Sequence, residues 1–440
     1  MSRLRPFLAA AAAGLAVAVP AGAQTNPAPP NGNGPKLSPQ ERPYAWARPV
    51  LKRLVAEGAW PAADAVGLNR DATRRELARG LAAVLGARGG TAPANAALPP
   101  DVAPTDPDAA AIAWVASTGL VGRRGAPFRP DDPATGRIAN LAVVRALGLT
   151  AELRGLAGIH TADGRRLRIP AGFAPAVLAR ELGLRVNYPA QYESAERGDA
   201  QPVTVADLAG MVGAARGMSS WRIGALAAYR DVTLPVMTDA QRTVAEAALA
   251  QAGMPYVWGG DWPNARSPWG GQAVGGYDCS GLVWMAFKGA PRSAAARLGA
   301  DLLGRTADDM AWEAPKQKVR LADLGPGDLV FFGDRGPKTR RGAIGHVGIS
   351  LGNGWMIHSS GSRAGTSLTR LDQYWTSGQA WGRRPAAIGV APPLPANTTP
   401  PAPNTPATPA TPVAPVTPGV QAPQPLPQSP GGGSRSIPLP

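Results

Sequence analysis

Apolar residues recur at three- and four-residue spacing between about residues 44 and 230, a period typical of amphipathic helices. Two helix faces are especially clear, and their apolar positions are Val50, Leu51, Leu54 and Val55 in the first and Leu77, Leu81, Val84 and Leu85 in the second. The pattern therefore predicts a mainly helical region over residues 41–235.

The helical region contains a loose internal repeat, with units at about residues 41–88, 100–150 and 165–220. Each unit has an apolar helix, then a polar turn, then a threonine that begins a second helix. Thr73 is followed three residues later by Glu76, and Thr204 by Asp207, which is the capping-box spacing of a helix start. One interpretation is three structural helix pairs that bind no ligand.

The first unit contains the sequence Thr-Arg-Arg-Glu at 73–76, and the second contains Phe-Arg-Pro at 128–130. With these motifs the repeat resembles the S-layer-homology module, a helical unit that anchors exported proteins to wall polysaccharide and has the signature Thr-Arg-Ala-Glu after a Phe-x-Pro turn. The resemblance implies that Arg74 contacts an anionic wall polymer. The second and third units have no arginine at the equivalent position.

After residue 235 the pattern mixes helix and strand periods. A helix is predicted over 240–252, and a second, buried helix in the apolar run that follows Cys279. Apolar strands are predicted near 329–332 and on both sides of a Gly-Asn-Gly turn at 352–354, where they form a hairpin. Residues 236–390 should therefore form an α+β domain, with helices packed on an antiparallel sheet.

The chain ends differ from both regions. Two arginines precede an apolar run at 7–19 and then small residues, which predicts a signal peptide over 1–23 and export to the cell envelope or medium. Residues 24–40 have the composition of a linker. Residues 391–440 are rich in Pro, Thr and Ala and predict a disordered tail.

Composition narrows the choice of partners. The formal net charge is +15, but no Lys/Arg block is long enough to indicate a nucleic-acid-binding arm. A diffusely basic exported protein is compatible with an anionic polymer such as the bacterial wall. Beyond the signal peptide no apolar run is long enough to span a membrane, so no integral membrane segment is expected in the mature chain.

The chain contains one cysteine, Cys279, and three histidines, of which His346 and His358 lie on the predicted hairpin. Cys279 should begin a helix, where the macrodipole favours an anion, so a lowered thiol pKa is expected. A cysteine, a base and a group that orients the base are the components of thiol catalysis. We assign Cys279 as nucleophile, His346 as base and His358 as orienting group. The Cys279 N–H and Tyr256 are the candidate oxyanion donors.

Zinc binding by the same three residues is the main alternative to thiol catalysis. The chain has no His-Glu-x-x-His and no Cys-x-x-Cys sequence, so neither metal nor cofactor is expected.

Five short segments of residues 236–390 occur in a characteristic order, at 255–260, 278–283, 327–332, 345–349 and 356–358. In these segments the region closely resembles the NlpC-type cell-wall peptidases, which are small papain-like enzymes. The resemblance implies a papain-like cysteine peptidase that cleaves the D-γ-glutamyl–diaminopimelate (or lysine) bond of peptidoglycan stems through a thioester.

The same resemblance implies roles in substrate binding for four residues. Asp278 would bind the free α-amine of the stem's first alanine, Ser280 would line the same subsite, and Tyr256 would contact the substrate. Arg305, followed by Thr306, matches an Arg-Thr pair of the family.

The sequence departs from the family in two loops. The loop at 261–276 is long and should overhang Cys279, and the basic loop at 335–341 precedes the predicted base and should favour acidic stems. Two other functions stay open: a wall-binding or scaffold protein with an inactive enzyme domain, and a thiol amidase or acyltransferase of the same fold.

Overall fold

The computed structural model describes residues 37–62, 65–289, 297–363 and 365–389. The predicted signal peptide, most of the predicted linker and the predicted tail lie outside these residues. No helix in the described part of the chain is long and apolar enough to cross a membrane.

The first half of the described chain is mainly helical, as predicted. Its α-helices are α1 (Arg48–Ala56), α2 (Arg74–Ala87), α3 (Ala109–Thr118), α4 (Gly136–Ala146), α5 (Thr150–Ala157), α6 (Phe173–Glu181), α7 (Val205–Arg216) and α8 (Ser220–Gly224). A 3-10 helix at Ala190–Ala195 lies between α6 and α7. Helices α2, α4 and α7 begin after Thr73, Thr135 and Thr204, whose side chains accept the first free N–H groups.

The residues before these three threonines bind one another in a closed ring of backbone hydrogen bonds. Ala72 N–H donates to the Val203 carbonyl, Val203 N–H to Ala134, and Ala134 N–H to Ala72, at 2.9, 2.9 and 2.8 Å. Because each predicted unit donates once and accepts once, the helix starts of α2, α4 and α7 are arranged around a common centre.

The second half of the described chain combines helices with a sheet. Its helices are α9 (Asp239–Leu249), α10 (Cys279–Lys288), α11 (Ala307–Trp312) and α12 (Gln373–Thr376). Two short strands pair in parallel, β1 (His160–Thr161) between α5 and α6 and β2 (Thr233–Leu234) at the end of the helical region. The others are β3 (Asp261–Trp262), β4 (Arg266–Ser267), β5 (Gly270–Gly271), β6 (Gly276–Tyr277), β7 (Lys318–Val319), β8 (Leu329–Gly333), β9 (Ile344–Gly352), β10 (Trp355–Ser360), β11 (Gly365–Arg370) and β12 (Gln379–Arg383).

Six strands form an antiparallel sheet in the order β11-β10-β9-β8-β12-β7. Helix α10 packs on strands β9 and β10 of this sheet. The predicted hairpin is confirmed, since β9 and β10 pair antiparallel around Asn353 with Ile357 opposite Ile349. This arrangement places the start of the Cys279 helix against the strands that carry both hairpin histidines.

The long loop at 261–276 is folded into two short antiparallel pairs, β3 with β6 and β4 with β5. Trp262, Trp269 and Trp284 pack edge to face, with ring centroids 5.4 and 6.3 Å apart. The loop is therefore attached to α10 at Trp284, in the turn after Cys279.

The two halves share one hydrophobic core. Buried side chains run continuously from Tyr44 in the helical region to Ile388 beyond the sheet. Tyr229 donates to the Leu368 carbonyl in β11 at 2.9 Å, and the buried Arg180 of α6 donates to the Gly253 carbonyl. All described residues belong to one compact unit.

Candidate active site

Cys279 is the first residue of α10 and is 8% exposed. The backbone N–H of Cys279 lies in the first turn and so has no acceptor within the helix. It is therefore available to donate to an oxyanion, as predicted for it from the sequence. The backbone N–H groups of Val347 and Ser280 are near enough to the sulfur to act against the rise of the Cys279 pKa. Val347 directly follows His346 in β9, so the thiol lies beside the strand position of the predicted base.

The predicted lowering of the Cys279 pKa is wrong. Burial of the thiol raises its pKa to about 11, and the carboxylate of Asp278 adds to the shift. The two N–H donors and Arg305 act in the opposite direction but do not outweigh burial. The resting nucleophile is therefore a protonated thiol.

His346 and His358 form a direct hydrogen bond. The distance from His346 Nε2 to His358 Nδ1 is 2.8 Å, and His358 is fully buried. The second nitrogen of His358, Nε2, lies 3.1 Å from the hydroxyl of Thr369 in β11. The structure therefore brings the predicted base and its orienting group together in the order expected from the sequence.

Aromatic rings pack against both imidazoles. Trp375 stacks on His346 and meets His358 edge-on, with centroid distances of 5.5 and 4.7 Å, and Phe332 contacts both His346 and Trp375. The loss of water around His346 lowers its pKa to about 4. At neutral pH this imidazole is uncharged and able to accept a proton.

Gly348 is required for the close approach of the histidine strands. A Cβ at this position would lie 2.3 Å from Met356 Sδ and 3.2 Å from His358 Cβ. Only a hydrogen fits there without displacing the side chains beside His358.

Asp278, Ser280 and Arg305 form one polar network at the start of α10. Asp278 Oδ1 accepts from the Gly281 N–H at 2.5 Å, from Ser280 Oγ at 3.2 Å and from Arg305 Nη1 at 3.0 Å. Arg305 also donates to Ser280 Oγ at 2.8 Å. These predicted substrate-binding residues therefore lie together and contact one another.

The same network holds the loop that carries Tyr256. Asp278 Oδ2 accepts from the Gly259 N–H at 3.0 Å, and Arg305 Nη2 donates to the carbonyls of Gly259 and Gly260. Tyr256 is half-buried, and burial raises its pKa, with Cys279 and Asp278 adding to the effect. The phenol is therefore a protonated donor near the thiol.

Residues 253–384 match the family model described as the NlpC/P60 family. These residues form an NlpC/P60 domain. Their α+β architecture, with helices packed on an antiparallel sheet after a helical region, confirms the predicted papain-like fold class.

Part of the chain is similar to named proteins. The chain is 33% identical over 137 residues to the murein DD-endopeptidase MepH of Escherichia coli (strain K12). The aligned residues are 31% of this chain and 42% of MepH. The chain is also 38% identical over 125 residues to the bifunctional muramidase/DL-endopeptidase CwlT of Bacillus subtilis (strain 168). In this case the aligned residues are 28% of this chain and 30% of CwlT. The chain therefore spans less than half the length of either relative.

A solved structure of the peptidoglycan hydrolase RipB from Mycobacterium tuberculosis is 32% identical, covering 34% of this chain and 66% of that chain, with a TM-score of 0.27. The family match begins at residue 253 and does not include the helical region. The similarity of that region to S-layer-homology repeats stays a prediction.

Arg74 is half-buried and packs on Phe128. Its guanidinium carbon is 5.2 Å from the centre of the Phe128 ring, and burial lowers its pKa. The buried Nε of Arg74 has no hydrogen-bond partner among the described residues. The two motifs behind the predicted polymer site, at 73–76 and 128–130, are therefore in contact.

The NlpC/P60 domain also receives contacts that the sequence pattern does not predict. Glu193, in the 3-10 helix Ala190–Ala195, accepts from the Trp258 N–H at 3.0 Å, and the Trp258 side chain is 77% exposed. Glu181, at the end of α6, accepts from Thr369. Spacing within a sequence gives no sign of either contact, because the partners are far apart along the chain.

Among the described residues, no group of three His, Cys, Asp or Glu side chains is arranged to hold a metal ion. In the basic loop, a 3-10 helix at Gly336–Lys338 is followed by Gly342 and Ile344, whose N–H groups donate to Asp308. The loop is thus fixed at the start of β9, two residues before His346.

Proposed function

We propose that the protein is an exported peptidoglycan hydrolase, a cysteine endopeptidase that cleaves the D-γ-glutamyl–diaminopimelate (or lysine) bond of stem peptides. The observation that carries the proposal is the 2.8 Å hydrogen bond between His346 and His358, next to Cys279 at a helix start. The names of the NlpC/P60 relatives supply the substrate class.

In the proposed reaction the Cys279 sulfur attacks the scissile carbonyl carbon while its proton moves to His346. The Cys279 N–H and the Tyr256 hydroxyl stabilise the oxyanion. His346 then returns the proton to the leaving amine, the C–N bond breaks and a thioester remains. Water, deprotonated by His346, hydrolyses the thioester and releases the thiol.

Mass spectrometry of muropeptides incubated with the mature protein tests this proposal. Because the names of two relatives specify DD- and DL-endopeptidases, the substrates should include both free stems and cross-linked dimers. We expect new fragments that end at D-glutamate, absent with Cys279→Ala. Products cut only at the cross-link, or no products from either protein, would contradict the proposed bond.

We further propose that Asp278 recognises the free α-amine of the stem. Asp278 also caps α10, so Asp278→Asn, which keeps an N-cap oxygen, is a better test than Asp278→Ala. Acetylating the stem's N-terminus should raise KM for the wild type and have little effect on the variant. Equal sensitivity to acetylation in both proteins would exclude an amine subsite.

The helical region is proposed to bind an anionic wall polymer through Arg74. Its support is the contact between the 73–76 and 128–130 motifs. Co-sedimentation with cell walls should weaken in Arg74→Ala and not in Arg123→Ala, which removes the same charge from an exposed turn. Equal binding by both variants would favour three structural helix pairs without a ligand.

Export is proposed from the signal peptide pattern alone. N-terminal sequencing of the protein recovered from the envelope or medium should begin at Gln24. A mature protein that retains residues 1–23 would contradict this.

A further inference from the structure

A continuous hydrogen-bond path connects the helical region to the predicted base. Glu181 Oε1 accepts from Thr369 Oγ1 at 2.7 Å, Thr369 Oγ1 lies 3.1 Å from His358 Nε2, and His358 Nδ1 lies 2.8 Å from His346 Nε2. Strands β10 and β11 set this geometry, because His358 pairs with Ser367 and Thr369 lies two residues further on the same face.

The path is shielded from water. His358 is 0% exposed, Thr369 2% and Glu181 9%. Glu181 is also the last residue of α6, an end at which the helix macrodipole disfavours a negative charge. A carboxylate in this place lowers stability unless it is well bonded, so its position calls for a reason other than helix formation.

The carboxylate determines the direction of every bond along the path. A carboxylate only accepts, so Thr369 donates its one hydroxyl proton to Glu181 and must accept from His358 Nε2. A neutral His358 then has its proton on Nε2 and accepts at Nδ1 from the Nε2–H of His346. The other nitrogen of His346, Nδ1, is left free to take the thiol proton.

We propose that Glu181 of the helical region is a positioning residue for thiol catalysis, which acts through Thr369 and His358 to hold His346 in the tautomer that can accept a proton. The inference rests on the proposed function, since it assigns His346 as the base. It makes the helical region a part of the catalytic apparatus in addition to any role in wall binding.

Ser367 provides a matched control for Thr369. Its hydroxyl donates to the same Glu181 Oε1 at 2.9 Å, and it is equally buried, but it lies off the path to His358. Ser367→Ala and Thr369→Val therefore remove similar bonds from the same carboxylate, and only the second interrupts the path. Thr369→Ser restores the hydroxyl, and Glu181→Gln removes the charge while keeping the shape.

The experiment measures the alkylation rate of Cys279 by iodoacetamide at pH 7 in the full chain, together with kcat and KM on stem peptides. In Thr369→Val we expect both the alkylation rate and kcat to fall by about 10- to 100-fold, with KM little changed, because the base has lost its correct tautomer. Ser367→Ala should remain within about twofold of the wild type and Thr369→Ser close to it. Glu181→Gln should lower kcat in the same direction as Thr369→Val.

Nitrogen-15 NMR gives a readout that a purely structural role would not change. The chain has three histidines, so single variants can assign their signals. We expect His346 to carry its proton on Nε2 in the wild type and in Ser367→Ala, and to lose this preference in Thr369→Val. If Thr369→Val does not fold, Glu181→Gln takes its place in the comparison with Ser367→Ala, and an alkylation rate and a His346 tautomer that are both unchanged in Glu181→Gln would overturn the proposal.

Two results would overturn the proposal. One is an alkylation rate in Thr369→Val that equals that of Ser367→Ala, and the other is an unchanged His346 tautomer in both Thr369→Val and Glu181→Gln. Alkylation and NMR need no peptidoglycan, so they separate this inference from the proposed function. If the wild type cleaves no muropeptide but the path variants change alkylation as expected, the substrate assignment fails and the positioning role stands.

Discussion

Burial shifts the pKa values of Cys279 and His346 in directions that keep both side chains uncharged near neutral pH. The thiol pKa is raised to about 11 and the imidazole pKa is lowered to about 4. The N-terminus of α10 favours a thiolate, but its effect is smaller than the cost of placing an anion among buried groups beside Asp278. The proton must therefore move during attack on the substrate and not before it.

We predict that kcat/KM retains its value well below pH 6.5 and falls as the pH decreases through about 4, because His346 accepts a proton only while it is uncharged. The alkylation rate of Cys279 should keep rising as the pH increases towards about 11. Rate profiles on stem peptides and with iodoacetamide check both limits. A plateau in alkylation between pH 5 and 9 would instead indicate a preformed thiolate–imidazolium pair.

Gly281 lets the Cys279 helix contact the Tyr256 loop. A Cβ at Gly281 would lie 1.8 Å from the Gly260 carbonyl oxygen, a backbone atom that cannot rotate away. Gly281→Ala should lower the free energy of unfolding by roughly 3 kcal/mol and reduce kcat. Gly86→Ala, in an exposed helix position with no atom within 4 Å, should raise it by up to about 1 kcal/mol. Chemical denaturation measures both, and a fully stable, active Gly281→Ala would show that the loop is not fixed at Gly260.

At the scale of elements, the helix starts were predicted because their signals are local. Thr73 with Glu76 and Thr204 with Asp207 form complete capping boxes, and α10 begins at Cys279 as expected. The antiparallel hairpin was predicted from strand alternation on both sides of one turn. All of these depend on residues within a few positions of one another.

Contacts between distant elements could not be predicted in the same way. The ring formed by Ala72, Ala134 and Val203 uses backbone groups, whose pairing leaves no pattern in side-chain type. The contact between Glu181 and Thr369 spans 188 residues, and an acidic residue at a helix end is ordinarily a solvated one. The direction of the Cys279 pKa shift also depended on burial, which a lone sequence does not give.

The capping box at Thr204 offers a test at this scale. Thr204 is fully buried, and its hydroxyl accepts from the Asp207 N–H at 3.0 Å and donates to the Asp207 carboxylate at 2.8 Å. Thr204→Ala should lower the free energy of unfolding by about 1–2 kcal/mol, because it leaves that N–H without an acceptor. Thr243→Ala, at an exposed position within α9, should have almost no effect. If Thr204→Ala lowered the free energy of unfolding no more than Thr243→Ala does, the Thr204 cap would not contribute to stability.

At the scale of the whole molecule, the helical region and the NlpC/P60 domain are joined by their interiors. One hydrophobic core crosses the junction, and Arg180 and Glu181 of α6 both reach buried groups of the second half. Separating the regions would expose apolar surface and leave buried polar groups without partners. The catalytic geometry and the helical repeats should therefore depend on each other for stability.

We predict that the two regions unfold as one cooperative unit, and the single cysteine provides a probe for one of them. The substitution Thr204→Ala changes the helical region. Alkylation of Cys279 reports on the other region, because the thiol becomes fully accessible only when the NlpC/P60 domain opens. In guanidinium chloride, circular dichroism and pulsed alkylation of Cys279 should report the same midpoint, and Thr204→Ala should lower both midpoints together. Thr243→Ala should shift neither. If Thr204→Ala lowered the circular dichroism midpoint and left that of Cys279 labelling unchanged, the domain would be stable without the helical region, and the path from Glu181 to His346 would connect two separately folding units.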